Sequence, residues 1–404
     1  MSVGVKGMNS ILLKQMWQMV DQLYDEMVAW RRDFHRHPEL SFQEERTPRI
    51  IAQLLRSFGL HVREGVGGRG VVGRLETGRA GRTVALRADF DALPIQEETG
   101  VEYQSVVPGV MHACGHDGHT AVLLTVAKVL SHFQEHLSGN VVFIHQFAEE
   151  VAPGGAKPMI ADGCLDGVDV IYGTHLWSGF PRGRIGCRSG PIMAATDDFE
   201  IRIVGRGGHG GMPHQAVDAL LLGAQVVQQL QWLVSRRVDP LQPAVVTVGS
   251  FHAGETYNVI AGEATLKGTV RTLDGVVRDQ VERDMERLVR GVCEAAGAEV
   301  EMQYRRGYPV VINHPEPVND VRRAVAEVLG KEAYFTMEPL MVGEDFAYYL
   351  ERVPGAFFFT GAGNPELDAV YPHHHPRFNI DERAMADAAK LLLTLAVSQL
   401  QGMD

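Results

Sequence analysis

AVLLTVAKVLSHFQEHLSGNVVFIHQFAEE, residues 121–150, joins an apolar run of helical composition to an apolar, β-branched run that ends in two adjacent glutamates. The first part, AVLLTVAKVLSHF, is long enough for a helix, and NVVFIHQFA has the length and composition of a buried strand. The same alternation continues on both sides. Upstream, TVALRADFDALPI reads as a buried strand over residues 84–86 that runs into a carboxylate-bearing loop. Downstream, VDVIYGTH reads as another strand. Strands alternating with helices of this length argue for an α/β domain around a largely parallel sheet.

Further out, apolar residues recur at helical spacing over residues 11–34 (Leu12, Leu13, Met16, Met19, Val20, Leu23, Met27, Trp30), which predicts one amphipathic opening helix broken at Pro38. A second helix is expected over 46–58, followed by a hairpin-like pair, HVREGV and GVVGRLE. The character changes at residues 186–195, GCRSGPIMAA, a glycine-rich stretch suited to a hinge or crossing. Beyond it come a strand (DFEIRIVGR), a helix over 215–234, two strands (AVVTVGSFHAG and ATLKGTVRTL), a helix over 276–296 and a strand (AEVEMQY). That order, β-α-β-β-α-β, is ferredoxin-like. It predicts an inserted α+β domain over 188–306 between the halves of a catalytic domain, 10–187 and 307–404. The second half resumes with a helix over 318–329, the strand GAFFFTGAG and a closing helix over 382–401.

The chain has 404 residues, 45% of them hydrophobic, enough for about two or three well-buried domains. Its net charge of -12 is spread without blocks, which makes nucleic acid an unsuitable partner. Four scattered cysteines are no disulfide framework and fit a reducing compartment. Neither a signal-peptide core nor a membrane-spanning run is present, so a cytoplasmic protein is expected.

Chemistry concentrates in MHACGHDGHT, which places His112, Cys114, His116, Asp117 and His119 within eight residues. Residues two apart in an extended segment project to one side, so Cys114 and His116 can converge while Gly115 lets the backbone bend. Taken singly, each would be a buried small residue or a helix cap. The density of the cluster points to metal. Glu149 and Glu150, His175, and His373, His374 and His375 in YPHHHPRF lie near the ends of apolar strands, where parallel sheets collect ligands. Cys114, His116, Glu150, His175 and one of the last histidines make five ligands, a number that suits two ions better than one.

Neighbouring side chains on an extended backbone point opposite ways, so Glu149 and Glu150 are expected to divide the work, one as ligand and one as general base. Asp89 and Asp91 share one side of their loop and are placed either to orient ligand histidines or to cap the turn before Pro94. Asp117 is expected to cap the helix that follows it, with His112 and His119 in a supporting role. In the inserted domain, GRGGHGGMPH carries His209 and His214, loop histidines of a kind usually just solvated, and Asn258 and Arg271 are expected either to serve the local structure, the commoner role for such residues, or to contact a substrate carboxylate.

RADFDALP, MHACGHDGHT, the QFAEE pair, GTHLW, GRGGHGGMPH, GTVRT, GEDF and HHHPRFNIDE together resemble, in this order, the aminoacylase/hippurate hydrolase group of dinuclear metallo-amidohydrolases, which includes plant auxin-conjugate hydrolases. The likeness runs from about Trp30 to Met385. It implies a zinc-peptidase-like α/β catalytic domain and an inserted satellite domain through which subunits form a homodimer or homotetramer. It further implies that Cys114, His116, Glu150, His175 and His374 bind two divalent ions, that Glu149 is the general base, and that His209 reaches the partner subunit's site to stabilise an oxyanion. Asn258 and Arg271 match positions near the substrate's carboxylate. His374 is singled out because the family's ligand stands two residues before the proline, here Pro376. His375 departs from the family's small or amide residue and leaves three consecutive histidines. The implied reaction is hydrolysis of N-acyl-amino acids, with a metallo-dipeptidase or carboxypeptidase as the alternative and a silent ligand-binding homologue as a third. Zinc, manganese, cobalt and nickel all suit such ligands.

Overall fold

A computed structural model describes residues 2–401. The chain divides into two compact units. One comprises the residues up to Gly190, Ile312–Glu338 and those from Asp345 onward; the other comprises Pro191–Val311 and Pro339–Glu344.

The first unit is built on an eight-stranded sheet. Its strand order is His61–Val66, Gly70–Glu76, Asn140–Gln146, Thr83–Asp89, Val170–Pro181, Gly355–Gly363, Ile185–Cys187, Tyr334–Thr336. The four strands from Asn140–Gln146 to Gly355–Gly363 run parallel to one another, as does the edge pair Ile185–Cys187 with Tyr334–Thr336. The hairpin and its junction are antiparallel, as is Gly355–Gly363 with Ile185–Cys187. A parallel strand covered on both faces has no polar side to show. Every residue of Thr83–Asp89 and of Gly355–Ala362 is accordingly buried. The helix His116–His132 packs on Thr83–Asp89 and against the helices Tyr24–Arg36 and Arg383–Gln401. That is why it reads as apolar nearly all round rather than as a stripe.

Three details depart from expectation. The opening helix is two helices, Ser2–Gln22 and Tyr24–Arg36, with Asp25 and Glu26 in the first turn of the second, where acidic groups suit the helix dipole. The strand containing VDVIYGTH continues past His175 to Pro181, because Leu176, Trp177 and Pro181 keep pairing with Thr360, Gly361 and Gly363. The stretch 186–195, within which the chain passes from one unit to the other, is itself largely strand: Ile185–Cys187 and Gly190–Met193.

In the second unit four antiparallel strands lie in the order Ala244–Ala253, Glu263–Thr272, Ala195–Val204, Glu299–Arg306. The helices Ala219–Arg236 and Gly275–Ala295 cover one face, giving the ferredoxin-like arrangement. Alternation in Ala195–Val204 sends Phe199, Ile201 and Ile203 to the core, where they meet Leu222, Val226 and Leu230 of the first helix and Val281 and Met285 of the second. Asp218 and Asp274 cap these helices by accepting the N–H groups two and three residues on. Among the described residues no helix is long and apolar enough to cross a membrane.

Candidate metal centre

Parallel pairing sets Asp89 opposite Gln146, so the loops carrying Asp89 and Asp91 and those carrying Glu149 and Glu150 leave the sheet side by side. The ligand helix starts in the same place. Gly115 holds φ +91°, a left-handed conformation that side chains disfavour, and the helix begins at His116 itself. His175 comes from the next parallel strand, aligned so that Gly173 faces Arg87.

These elements bring the candidates together in two groups that share one thiol. Ligand-type atoms of Cys114, His116 and Glu150 lie within 4.8 Å of one another, as do those of Cys114, His175 and His373. Cys114 Sγ is 3.5 Å from His175 Nε2. Glu150 Oε1 is 3.7 Å from His116 Nε2 and 3.3 Å from His374 Nε2. The imidazoles of His116 and His175 are each turned by a bond from the other nitrogen. His116 Nδ1 donates to the Asp91 carbonyl (2.9 Å) and approaches its carboxylate (3.2 Å), and His175 Nδ1 donates to the Leu176 carbonyl (2.9 Å). The Nε2 atoms are thus left to face the shared space, as ligating histidines require.

His119 is held differently. Its Nδ1 donates to Asp89 (2.6 Å) and its Nε2 accepts the Leu176 N–H (2.9 Å), so no lone pair remains for a metal. It braces Asp89, which also takes a bond from Arg87 (2.7 Å). Of the three consecutive histidines, His375 stacks on Tyr371 and accepts the Arg377 N–H (3.0 Å), away from the cluster. His373 stacks on Trp177 with ring centroids 4.1 Å apart and joins Cys114 and His175, a placement that spacing from Pro376 did not reveal. His374 adopts φ +65°, and its N–H donates to the Ala113 carbonyl (2.8 Å), tying its loop to the cysteine loop.

The donor set fits a cation. His116 Nε2, Glu150 Oε1 and His373 Nδ1 are buried without hydrogen-bond partners. Burial, then Glu150, Glu149 and Asp89, pushes the Cys114 thiol well above its ordinary range. Burial alone would lower the His116 imidazole, but Asp89, Asp91 and Glu150 override it and hold it up to about 10. Burial and the neighbouring His119 and His373 push His175 far down, keeping its lone pair available. The positive charge that a thiol and carboxylates crowded this closely demand falls on the His116 imidazole, and a divalent ion is the species that displaces its proton and supplies that charge instead.

Glu149 and Glu150 diverge. Glu150 turns to Cys114 and His116, whereas the carboxylate of Glu149, only 6% exposed, lies within 4.8 Å of Asp345. Asp117 does not cap the ligand helix. Its carboxylate accepts from Arg31 Nε (2.7 Å) and His35 Nδ1 (2.8 Å), both from the helix Tyr24–Arg36. Position 117 is inside the first turn, past the capping position, and a fully buried guanidinium competes for its charge. His112 sits nearby, buried, with neither ring nitrogen partnered.

In the second unit His209 is exposed. It pairs with Val259 in a two-residue ladder, and its Nδ1 accepts the Gly211 N–H (3.0 Å). His214 lies in the short turn Pro213–Gln215. Asn258 Oδ1 accepts from Thr256 (3.3 Å), and Arg271 Nη1 donates to the Val270 carbonyl (3.0 Å), its guanidinium half-buried.

A sequence model of peptidase family M20/M25/M40 matches residues 85–398. The N-acyl-L-amino acid amidohydrolase of Geobacillus stearothermophilus is 52% identical over 299 residues, 74% of this chain and 81% of that protein. The N-acetyl-L-cysteine deacetylase of Bacillus subtilis is 39% identical over 370 residues, 92% of this chain and 87% of its own. Among solved structures, the Bacillus subtilis YXEP protein, a dinuclear metal-binding peptidase of the M20 family, superposes with a TM-score of 0.82 at 35% identity, over 94% of this chain and 99% of that one.

Proposed function

The chain belongs to peptidase family M20/M25/M40, and from that premise we propose that it is a metal-dependent amidohydrolase that cleaves N-acyl-amino acids to a carboxylate and a free amino acid. The observation that carries this reading is the pair of ligand groups sharing Cys114, with a buried carboxylate, Glu149, beside them on the same turn as Glu150. Cys114, His116, Glu150, His175 and His374, the last with its Nε2 3.3 Å from Glu150 Oε1, would hold two divalent ions, with His373 packed beside Cys114 and His175. Bound there, the ions would supply Lewis acidity, which polarises an acyl carbonyl and lowers the pKa of water to about 7.

Glu149 accepts the proton of the attacking water and returns it to the amide nitrogen, whose departure as a neutral amine breaks the C–N bond. Asp91 holds His116 by its Nδ1, and Asp89 holds His119. His209 would stabilise the oxyanion from the partner subunit of a homodimer or homotetramer, and Asn258 and Arg271 would meet the substrate's carboxylate. Four unpaired buried cysteines agree with a cytoplasmic setting.

The test is to strip the enzyme of metal, reconstitute it separately with zinc, manganese, cobalt and nickel, and assay free-amine release from N-acetyl-, N-benzoyl- and indole-acetyl-amino acids and from dipeptides. Metal-dependent release from the N-acyl series supports the proposal. Release from dipeptides alone would move the enzyme to the dipeptidase reading, and no release with any metal would sink the enzyme reading.

A further inference from the structure

We propose that residues 39–45, ELSFQEE, form a positioning clasp for the Glu149–Glu150 turn, with Glu44 as its principal contact. The clasp lies ahead of residues 85–398, the span matched by the family's sequence model. Nothing in its composition advertises chemistry, and its contacts show what it does.

The segment is closed on itself first. The Glu39 carboxylate accepts the N–H groups of Glu45 (2.9 Å), Arg46 (2.8 Å) and Thr47 (2.8 Å), capping the helix Arg46–Ser57 from six to eight residues back. The Ala92 N–H donates to the Glu39 carbonyl (2.9 Å), and Arg69 donates to the Glu44 carbonyl (2.6 Å). A loop pinned at both ends is a rigid support for whatever its side chains touch.

Those side chains touch the catalytic turn at two points and reach it at a third through Asp91. Glu44 Oε1 accepts the Ala148 N–H (2.9 Å), Ser41 Oγ donates to Asp91 Oδ2 (2.7 Å), and Phe42 meets Phe147 edge to face at 5.8 Å. Asp91 Oδ2 in turn accepts the Glu150 N–H (3.0 Å), while the same residue orients His116. Ala148 stands at φ +50°, a left-handed conformation that alanine rarely adopts and that persists where surrounding contacts impose it. Its N–H goes to Glu44, and its carbonyl accepts from Gly155 (3.1 Å). That approach needs glycine, since a Cβ on Gly155 would stand 1.9 Å from the Phe147 carbonyl oxygen.

Glu44 is 1% exposed and its second oxygen, Oε2, has no hydrogen-bond partner. Burial pushes its carboxyl up to about 8, so at neutral pH it is largely a neutral acid for which glutamine is an isostere. What Glu44 offers the turn is therefore an acceptor oxygen at a fixed place.

The proposal rests on Glu149 being the base, and the variants E44A and E44Q of the metal-reconstituted full chain test it. In E44A, kcat for an N-acetyl-amino acid should fall about ten- to a hundredfold with KM within about threefold and metal content unchanged, the size expected when a base shifts by under an ångström. E44Q keeps the acceptor and should stay within about threefold of the parent. Amide hydrogen exchange at residues 148–150 should quicken at least about tenfold in E44A and not in E44Q. Unchanged kcat and unchanged exchange in E44A would overturn the clasp, as would E44Q falling as far as E44A. If the parent enzyme turns over no N-acyl-amino acid, the functional reading fails, while exchange at 148–150 still decides the clasp. Should E44A not fold, S41A takes its place, with a loss of about threefold or more in kcat expected and no loss overturning it.

Discussion

Cys114, His116 and His175 in the first unit and His209, Asn258 and Arg271 in the second are both sets of polar candidates, yet their surroundings differ. In the first set each histidine is aimed: Nδ1 is spent on a chain oxygen and Nε2 is left facing the shared space. In the second set the His209 ring and the Asn258 amide accept from neighbours two residues away in exposed loops, Gly211 and Thr256, and Arg271 turns back on its own sheet, toward Val270 and Asp197. Orientation toward a ligand is thus built into one site by carbonyls that the sheet and the Asp91 loop hold in place, and the other set is presented without it. Substitutions in the first set should therefore change metal retention, and those in the second only turnover.

The largest expected effect is at Cys114, which belongs to both ligand groups. Cys114→Ala should weaken metal binding by at least about a hundredfold, measured by equilibrium dialysis of the stripped protein. Retention of the parent stoichiometry and affinity would break the comparison on its stronger side. His209→Ala should leave metal content intact and lower kcat by about 10²- to 10³-fold, the usual consequence of losing one oxyanion donor. Metal loss in that variant, or unchanged kcat, would break the comparison on its other side.

A smaller effect sharpens what burial does to a histidine that orients nothing. His145 is fully buried in Asn140–Gln146 with neither nitrogen partnered, and burial pushes it down to about 3. The unfolded chain takes up a proton near pH 6.5 that the folded chain refuses until about 3. Stability from this residue is therefore complete above pH 6.5 and is lost as pH falls through that window, by roughly 1.4 kcal/mol per pH unit. His145→Leu should remove that slope from denaturant-unfolding curves taken between pH 7 and 5; parallel slopes in parent and variant would contradict it.

The α/β alternation was legible in the chain because buried parallel strands and their helices differ in length and composition, as in AVLLTVAKVLSHF and NVVFIHQFA. Ligand types were legible too, since Cys114 and His116 stand two residues apart and Glu149 and Glu150 are adjacent at the end of an apolar run. What escaped depends on distant partners. His175 sits mid-strand because Gly355–Gly363 continues to pair beyond it, more than 180 residues away in sequence. Asp117 looked like a cap until Arg31, 86 residues before it, claimed the carboxylate. His373 and His375 are indistinguishable by type, and only packing on Trp177 or on Tyr371 separates them. Glu44 reaches Ala148 across 104 residues and left no local signal at all.

In the proposed reaction Glu149 moves the proton while its neighbours hold the metal. Glu149→Ala, reconstituted with metal and assayed on an N-acetyl-amino acid, should lose about 10²- to 10⁴-fold in kcat with metal content at the parent value. Near-normal turnover in that variant would contradict the account.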